Sequence, residues 1–258
     1  MRNRCAIVTG STSGIGLAIA TGFAKEGCNV MLNGFSDQDT VKRLCDELSA
    51  YDNKVLYNPA NMAVASEIES LMRDCQERLG PVDILVNNAG VQHTAPIEEF
   101  PAEQWDRILA INLTSSFHTT RLVLSSMRKR NWGRIINIAS VHGLVASVHK
   151  SAYVAAKHGM VGLTKVVALE TAEMNITCNA ICPGWVRTPL VEKQIEDLAN
   201  DTNLNLDEAT MKLLMEKQPS KRFVETDQIA ALAVFLCSES ACNISGIALP
   251  IDGGWIAR

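Results

Sequence analysis

The sequence predicts an α/β fold with one doubly wound sheet of about seven parallel strands flanked by helices. Two patterns support this prediction: short apolar runs alternate with amphipathic segments of helical length, and a glycine-rich turn directly follows the first apolar run. Hydrophobic residues make up 47% of the 258 residues, which is enough for a large core. Because α/β sheets of this length commonly form one domain, we expect a single domain over residues 1–258.

The apolar runs predict the strands in order. The first, Cys5 to Thr9, is typical of a parallel strand that is buried on both faces. The predicted strands lie near residues 5–9, 28–33, 53–58, 82–86, 133–138, 176–182 and 247–251. Most segments between them have room for the helical crossover that parallel neighbours require, and the longest of these helices are predicted near 101–130 and 151–174.

One segment departs from this alternation. Residues 188–220, after the sixth strand, form a long, polar and charged helical stretch. A solvent-exposed pair of surface helices is one interpretation. A helical lid over a ligand site is the other, because ligands of such sheets bind outside the carboxyl ends of the strands.

The glycine-rich turn predicts a phosphate-binding site. Gly10, Gly14 and Gly16 follow the first strand with the spacing GxxxGxG, and a helical pattern from Leu17 to Lys25 begins directly after them. Gly10 permits a tight turn, Gly14 lets backbone N–H groups approach a pyrophosphate, and Gly16 lets the helix pack closely on the sheet. An ordinary glycine turn is the alternative, but the flanking strand and helix favour the binding site.

A second pattern predicts acid–base chemistry on an oxygen atom. Tyr153 and Lys157 are four residues apart, so on a helix their side chains share one face, where the ammonium group favours the phenolate form of the tyrosine. Ser140, thirteen residues before Tyr153, supplies a hydroxyl that can polarise the same substrate oxygen. A YxxxK spacing alone is common by chance, so this interpretation depends on the rest of the chain.

Composition excludes several other classes of protein. A net charge of −4 gives no reason to propose nucleic acid or an anionic membrane as a partner. The eight cysteines are scattered without a CxxC pair or a Cys/His cluster at zinc spacing, so we expect reduced thiols and no metal. The first strand begins within five residues of the N-terminus and no apolar run approaches the ~20 residues of a membrane span, which predicts a cytoplasmic location.

Together these motifs resemble the short-chain dehydrogenase/reductase family over essentially the whole chain. The family's motifs occur in its order, as Thr9 to Gly16, Asn87-Asn88-Ala89-Gly90, Asn112, Ser140, Tyr153 with Lys157, and Pro183-Gly184. The resemblance implies a Rossmann-like fold, a nicotinamide cofactor and a dehydrogenase activity. It also implies a homotetramer with 222 symmetry, whose interfaces would use the helices near 101–130 and 151–174 and the final apolar strand at 247–251.

The resemblance also implies the residues that bind the cofactor. They come from the turn after the first strand, from the ends of the second, third and fourth strands, and from the region around the nicotinamide. They are Gly10, Thr12, Ser13, Gly14, Ile15 and Gly16; Asn33, Phe35, Asn61 and Met62; Asn88, Ala89 and Gly90; and Tyr153, Lys157, Pro183, Gly184, Val186 and Thr188.

NAD rather than NADP is the expected cofactor. The segment Asn33 to Phe35 has no Arg or Lys to meet a 2′-phosphate, and Ser13 is uncharged where NADP-using relatives often have a basic residue. The Asp that often binds the ribose hydroxyls in NAD-using relatives is also missing, so Asn33 or the backbone of Phe35 is expected to replace it. Asn61 stands where relatives commonly have an Asp near the adenine, and its amide can still donate and accept hydrogen bonds.

A mechanism follows from the same resemblance. Tyr153 takes the hydroxyl proton of an alcohol while hydride leaves the same carbon for the nicotinamide, and Ser140 hydrogen-bonds the oxygen. Lys157 is expected to lower the pKa of Tyr153 and to bind the nicotinamide ribose. Asn112, the fourth catalytic residue of the family, would anchor a water chain for the proton, although a helix kink or a buried amide would also explain it.

Within the family, the chain most resembles the bacterial D-3-hydroxybutyrate dehydrogenases, for example in the segments 182–189 and 216–220. A four-carbon acid has little apolar surface, so charge-assisted hydrogen bonds must supply most of its affinity. The implied substrate site has Gln92, His142, Lys150 and Gln194 around the carboxylate, Ser140 and Tyr153 at the reacting oxygen, and Trp185 and Trp255 around the methyl group.

Two other functions remain open. An NADPH-dependent 3-oxoacyl-thioester reductase would need room for a carrier arm and basic residues near Asn33, so Lys150 and the neutral residues after the second strand disfavour it. A non-enzymatic nucleotide-binding sensor on the same fold could lose Tyr153 or Lys157 without penalty, and both are present.

Overall fold

The computed structural model describes residues 1–257 and confirms the predicted parallel sheet; Arg258, the last residue of the predicted domain, lies outside the described residues. The strands pair in parallel in the order β3-β2-β1-β4-β5-β6-β7. Their bounds within this part of the chain are β1 (Cys5–Val8), β2 (Asn29–Asn33), β3 (Val55–Asn58), β4 (Ile84–Asn87), β5 (Gly133–Ile138), β6 (Ile176–Pro183) and β7 (Ala248–Ile251). Each strand overlaps a predicted apolar run.

Helices connect the strands and cover both faces of the sheet. Within residues 1–257 the α-helices are α1 (Gly14–Lys25), α2 (Gln38–Ser49), α3 (Ala65–Arg78), α4 (Ala102–Leu109), α5 (Ser115–Arg130), α6 (Ser151–Glu170), α7 (Pro189–Thr202), α8 (Leu206–Lys217) and α9 (Thr226–Cys237). None of the helices in this part of the chain has both the length and the apolarity to cross a membrane.

Two apolar layers hold the helices on the sheet. One layer contains α1, α2 and α9, and the other contains α3, α5 and α6. Successive residues of a strand point to opposite faces, so in β1 Ala6 and Val8 face the first layer while Cys5 and Ile7 face the second. All four are buried, which is why the first strand is a continuous apolar run in the sequence.

The helical segment predicted near 101–130 is divided. Between α4 and α5 the chain forms a π-helical turn, Ala110–Thr114, with Asn112 inside it. The Asn112 amide reaches out of the helix to the backbone of Val91, and the Ser115 hydroxyl donates to the carbonyl of Ile111 at 2.6 Å. Such a wider turn is often found where a helix passes a functional site.

The strand order reverses at β1, and this reversal positions the site. The crossover from β1 leads to β2 on one side, whereas β4 lies on the other side of β1. A crevice therefore opens between the loops that follow the carboxyl ends of β1 and β4, which is where ligands bind in sheets of this kind.

Residues 188–220 form the helices α7 and α8, as their polar pattern predicts. The two helices pack on each other through a small apolar cluster of Val191, Ile195, Ala199 and Ala209. Asn205 begins α8 in a capping box with Glu208. The helix pair is thus a separately packed unit beside the crevice, and its role as a lid stays a prediction.

Candidate active site

Two adjoining cavities occupy the crevice. The outer cleft, of about 680 Å³, is lined by the glycine turn and by the segments that follow β2, β3 and β4. The inner cavity, of about 170 Å³, lies between the ends of β5 and β6, helix α6 and helix α7. Asn88, Gly90 and Thr188 line both cavities, so one elongated ligand can extend from the cleft into the cavity.

The glycine turn has the backbone that its spacing predicts. Gly10 and Gly14 have φ angles of +62° and +54°, a region that side chains disfavour. A Cβ atom on Gly16 would overlap the Gly10 carbonyl oxygen and the Asn88 amide nitrogen. The Asn88 amide in turn donates to the carbonyls of Thr9 at 2.8 Å and Gly10 at 2.9 Å, so β4 fixes the turn after β1.

Hydrogen bonds to neighbouring backbone groups hold the Asn33 side chain. Asn33 lines the outer cleft but is fully buried. Its amide nitrogen donates to the carbonyls of Asn58 at 3.1 Å and Ala60 at 2.9 Å, and its amide oxygen accepts from the N–H of Gly10 at 3.3 Å. These hydrogen bonds hold the glycine turn against β3, and the expected role of Asn33 at the ribose stays a prediction.

The backbone after β2 is fixed by two hydroxyl groups. Tyr57 donates to the carbonyl of Gly34 at 2.7 Å, and Thr12 donates to the carbonyl of Phe35 at 3.4 Å. The Phe35 side chain is 73% exposed at the edge of the outer cleft. Within the residues described, this edge therefore presents a ring and fixed backbone groups to a ligand, and no basic side chain of the 33–35 segment.

Ser140, Tyr153 and Lys157 all line the inner cavity. Tyr153 and Lys157 lie one turn apart on α6, with the Lys157 Nζ atom 5.6 Å from the centre of the Tyr153 ring. Lys157 donates to the carbonyl of Ile138 at the end of β5, at 2.7 Å. Ser140 follows β5, and its hydroxyl accepts from the backbone N–H of His142 at 3.1 Å. The sheet and α6 thus bring the hydroxyl, phenol and ammonium groups together.

Burial determines the charge states of this cluster. It raises the pKa of Tyr153, and a hydrogen bond from Ser140 acts in the opposite direction. It lowers the pKa of Lys157 to about 8. The sequence predicts that Lys157 lowers the pKa of Tyr153, whereas in the protein alone burial raises this pKa and favours the phenol.

Asn112 is placed differently from the other predicted residues. Its side-chain oxygen accepts from the N–H of Val91 and its nitrogen donates to the carbonyl of Val91, both at 2.9 Å. Among the described residues, those lining either cavity do not include Asn112. The amide therefore holds the loop after β4, and a water chain on its backbone stays a prediction.

The predicted carboxylate-binding group lies at one end of the inner cavity. Lys150 donates to the Gln92 side-chain oxygen at 3.3 Å, which joins the end of the 144–150 loop to the loop after β4. His142 shares a 2.9 Å hydrogen bond with Ser147 through its Nε2 atom. Gln194 reaches the same cavity from α7.

Burial also sets the charges of this polar group. It lowers the pKa of Lys150, and it lowers the pKa of His142 to about 4, with the positive charges of Lys150 and Lys217 acting in the same direction. His142 is therefore neutral near pH 7. The positive charge available to a bound anion at this end of the cavity comes from Lys150.

Aromatic rings form another wall of the inner cavity. The rings of Trp185 and Trp255 are 5.8 Å apart, and His142 packs edge-on against Trp255 at 5.5 Å and against Tyr153 at 5.9 Å. Trp255 is held by Asp252, whose carboxylate accepts from the N–H groups of Gly254 and Ile256 at 2.9 Å each. The wall places apolar surface beside the polar group, a combination typical of small-molecule sites.

Every residue predicted to bind the cofactor or substrate lines one of the two cavities, and Asn112 alone among the predicted site residues lines neither. Sequence reasoning missed several lining residues, most of them apolar or backbone neighbours of predicted ones. They are Gly34, Ala60, Ala63, Val91, Arg107, Ile111, Ile138, Ala139, Val141, Pro189 and Val191. For most of them the only signal in the sequence is proximity to a strand end or to a predicted site residue, because an apolar side chain in a pocket resembles one in the core; Arg107 lacks even that signal.

The chain is similar to known proteins along its length. A family model described as short chain dehydrogenase matches residues 4–199. The D-beta-hydroxybutyrate dehydrogenase of Cupriavidus necator is 55% identical over 258 residues, 100% of both chains, and that of Rhizobium meliloti is 53% identical over 256 residues, 99% of each. The crystal structure of L-sorbose reductase from Gluconobacter frateurii, complexed with NADPH and L-sorbose, has a TM-score of 0.94 at 31% identity and covers 100% of this chain and 98% of its own. Each match includes the glycine turn and the Tyr153 and Lys157 pair.

Proposed function

The chain belongs to the short-chain dehydrogenase family of oxidoreductases, and on that premise we propose that it catalyses the reversible, NAD-dependent oxidation of D-3-hydroxybutyrate to acetoacetate. The observation that carries this proposal is the polar group of the inner cavity, in which Lys150 pairs with Gln92 beside His142 and Gln194. The names of the two relatives above 50% identity support the same activity.

The inner cavity fits a small anionic substrate. Its volume of about 170 Å³ is below the ~300–1,000 Å³ typical of pockets for drug-sized ligands. Lys150 supplies one positive charge, and the neutral His142 and the two glutamines supply hydrogen bonds, so a single carboxylate is matched without excess charge. Trp185 and Trp255 then face the apolar end of the acid.

The outer cleft fits a dinucleotide. The positive φ angles of Gly10 and Gly14 turn backbone N–H groups at the start of α1 towards the cleft, as a pyrophosphate requires. A Cβ atom on Gly14 would contact only the Thr188 side chain, at 3.5 Å, so the approach to this backbone is open. We infer that the glycine turn would hold the pyrophosphate and that Pro183, Gly184 and Thr188 would hold the nicotinamide, which would supply the hydride acceptor for the alcohol carbon.

In the proposed reaction, Tyr153 transfers the proton, and Ser140 and Lys157 assist it. Tyr153 takes the hydroxyl proton of the alcohol as its phenolate and returns it in the reverse direction. Ser140 donates a hydrogen bond to the same oxygen and so fixes which face of the carbon is presented. Lys157 is held between Tyr153 and the Ile138 carbonyl, where its charge stabilises the phenolate once the proton has left.

The polar atoms around the end of β2 support NAD as the cofactor. Arg107 is the only basic residue among the described residues that line the outer cleft, and it comes from α4 rather than from the segment after β2. An NADP-binding site normally places a cation at that segment for the 2′-phosphate. With Asn33 occupied, we infer that the fixed backbone at Gly34 and Phe35 meets the ribose hydroxyls.

Two broader proposals complete this assignment. We propose that residues 1–258 act as one dinucleotide-binding unit and that residues 188–220 close over the inner cavity as a lid. The lid proposal is supported by Gln194 and Val191 of α7, which line the cavity from the side opposite the sheet.

The proposed function is tested by measuring NADH formation from the separate D and L enantiomers of 3-hydroxybutyrate with NAD. The same assay is repeated with NADP, and with an acetoacetyl thioester plus NADPH. Turnover of the D form with NAD, and little with NADP, is the expected result. Activity on the thioester with NADPH alone would instead assign a 3-oxoacyl-thioester reductase and refute both the substrate and the cofactor.

A further inference from the structure

Gln218 is a polar residue with no exposed surface, directly after α8. Its side-chain oxygen accepts from the backbone N–H of Trp185 at 2.9 Å. Its side-chain nitrogen donates to the carbonyl of Arg222. Both ends of the amide are therefore engaged with backbone groups, and one of those groups belongs to a residue of the aromatic wall.

Two glycines make room for this side chain. A Cβ atom on Gly184 would lie 2.7 Å from the Gln218 side-chain oxygen, and one on Gly253 would lie 2.8 Å from the Gln218 Cγ atom. Gly184 follows the end of β6, and Gly253 follows the end of β7. The Gln218 side chain is thus wedged between two strand ends at points where only glycine leaves space.

The same two loops carry the aromatic wall of the inner cavity. Trp185 directly follows Gly184, and Trp255 lies two residues after Gly253. The N–H of Ser220 donates to the carbonyl of Gly253 at 3.0 Å, which adds a second link between the segment after α8 and the loop that carries Trp255. Gln218 itself is outside the described lining of either cavity, so any effect on ligands must pass through these loops.

We propose that Gln218 is a positioning residue that ties the end of α8 to the Trp185 and Trp255 loops and thereby sets the shape of the substrate cavity. The proposal rests on the proposed function for its choice of substrate, but its geometry does not depend on which small acid is bound. An amide is required because the residue must accept from one backbone group and donate to another. A residue of similar size that lacks either capacity leaves a buried polar group unpaired.

The test compares Gln218→Leu and Gln218→Glu with the wild-type chain. The Leu variant loses both hydrogen bonds, while the Glu variant can accept from Trp185 but places a carboxylate against the Arg222 carbonyl. We expect the KM for D-3-hydroxybutyrate to rise roughly 10-fold or more in both, because losing a buried hydrogen bond leaves its partner unpaired. The KM for NAD and the Kd for NADH should rise less than the substrate KM, because Gln218 contacts only Gly184 of the residues proposed to hold the nicotinamide and the outer cleft is untouched. Gln76→Leu, at an exposed position of α3, is the matched control and should leave all these values unchanged.

A second readout needs no turnover. The near-ultraviolet circular dichroism of the Trp185 and Trp255 pair should change in both Gln218 variants while the far-ultraviolet spectrum stays that of the wild type. If the wild-type chain does not oxidise 3-hydroxybutyrate, the proposed function fails and this spectrum alone decides the positioning role. An unchanged substrate KM with an unchanged near-ultraviolet spectrum, in whichever variant folds, would overturn the proposal. A parallel rise in the KM for NAD would also overturn it, because the effect would then be general.

Discussion

Burial changes the pKa values that the helical spacing of Tyr153 and Lys157 would otherwise predict. In water, an ammonium group one turn away favours the phenolate. Here desolvation raises the pKa of Tyr153 and lowers the pKa of Lys157 to about 8, which favours the neutral form of each side chain. The proposed oxidation needs the phenolate form of Tyr153. We therefore expect hydrogen bonds, including one from Ser140, and additional charge to stabilise the phenolate when substrate and cofactor are bound.

The most direct prediction at the residue scale is that Tyr153→Phe removes the base without removing the cofactor site. We expect kcat for D-3-hydroxybutyrate to fall by about 10²–10⁴-fold, the usual contribution of a positioned acid or base. The Kd for NADH, measured by fluorescence titration, should change little because the ring remains. Tyr51→Phe, at an exposed position after α2, is the control and should keep wild-type turnover. A Tyr153→Phe variant that retains most of the wild-type activity would contradict the proposed mechanism.

In the proposed site Lys150 supplies the charge for the substrate carboxylate, so we expect its loss to lower substrate affinity. A hydrogen bond to a charged group contributes about 1.5–3 kcal/mol, so Lys150→Met should raise the KM for D-3-hydroxybutyrate roughly 10–100-fold. The Kd for NADH should stay constant. Lys42→Met, on the exposed face of α2, tests for a general effect of lost charge. Equal KM values in the Lys150 and Lys42 variants would place the carboxylate elsewhere.

His142 predicts a dependence of stability on pH. Its pKa is about 4 in the folded chain, because of burial and the charges of Lys150, Lys217 and His158, and 6.5 is the ordinary value. Between these values the unfolded chain binds more protons than the folded chain, so stability is lost as the pH falls from about 6.5 to 4. At 1.36 kcal/mol per pKa unit, the loss from this group reaches about 3 kcal/mol.

Urea unfolding of the wild type and of His142→Gln at several pH values checks this prediction. The variant should show a smaller loss of unfolding free energy between pH 6.5 and pH 4, whatever its stability at pH 7. The two proteins are compared by the slope of unfolding free energy against pH. Their absolute stabilities are not compared, because removing the ring also changes packing against Tyr153 and Trp255. Parallel curves for the two proteins would mean that His142 titrates normally in the folded chain.

At the element scale, the glycine turn and α1 form one unit whose geometry depends on Gly16. A Cβ atom there would overlap the Gly10 carbonyl and the Asn88 amide, so Gly16→Ala must push α1 away from the turn. We expect the Kd for NADH to rise at least 10-fold and the melting temperature to fall, since the overlap is with backbone as well as side chain. The measurements are fluorescence titration and thermal unfolding.

Gly22→Ala, on the same helix, is the matched control for this prediction. Its Cβ atom would meet the Val234 side chain at 3.3 Å, a contact that a small rotation of the valine relieves. Replacing a glycine inside a helix also favours folding by about 1 kcal/mol, which offsets this contact. Gly22→Ala should therefore keep wild-type NADH affinity, and equal losses in the two variants would contradict a special role for Gly16.

The elements also show what a sequence can and cannot predict. The strands follow from apolar runs because a parallel strand is buried on both faces, and the glycine turn follows from backbone needs that few other residues meet. The π-helical turn at Asn112 cannot be predicted from the local sequence, because the Asn112 amide forms its hydrogen bonds with Val91, 21 residues earlier in the chain. Asn33 and Gln218 are similar cases, since their hydrogen-bond partners lie on neighbouring loops and leave no local pattern.

At the scale of the whole molecule, the outer face of α5 and α6 is apolar and is exposed in the single chain. Phe117 is 49% exposed, Val166 52% and Leu169 79%. A groove of about 550 Å³ runs between the two helices, with Arg121, Arg128 and Glu170 among its charged lining residues. An apolar patch bordered by charges is typical of a protein interface, and these are the helices expected to form the two-fold contact of a tetramer.

We predict that the chain is a homotetramer and that Val166→Glu prevents its full assembly. A two-fold contact is isologous, so one substitution places a carboxylate on each side of the same interface. The cost of removing both carboxylates from water then disfavours association. Sedimentation of the wild type should give about four times the mass of the chain, and the variant should give a smaller species. Val64→Glu, at a half-exposed position before α3, should sediment as the wild type. A monomeric wild type, or a Val166→Glu variant of wild-type mass, would contradict the assignment of this face to the tetramer contact.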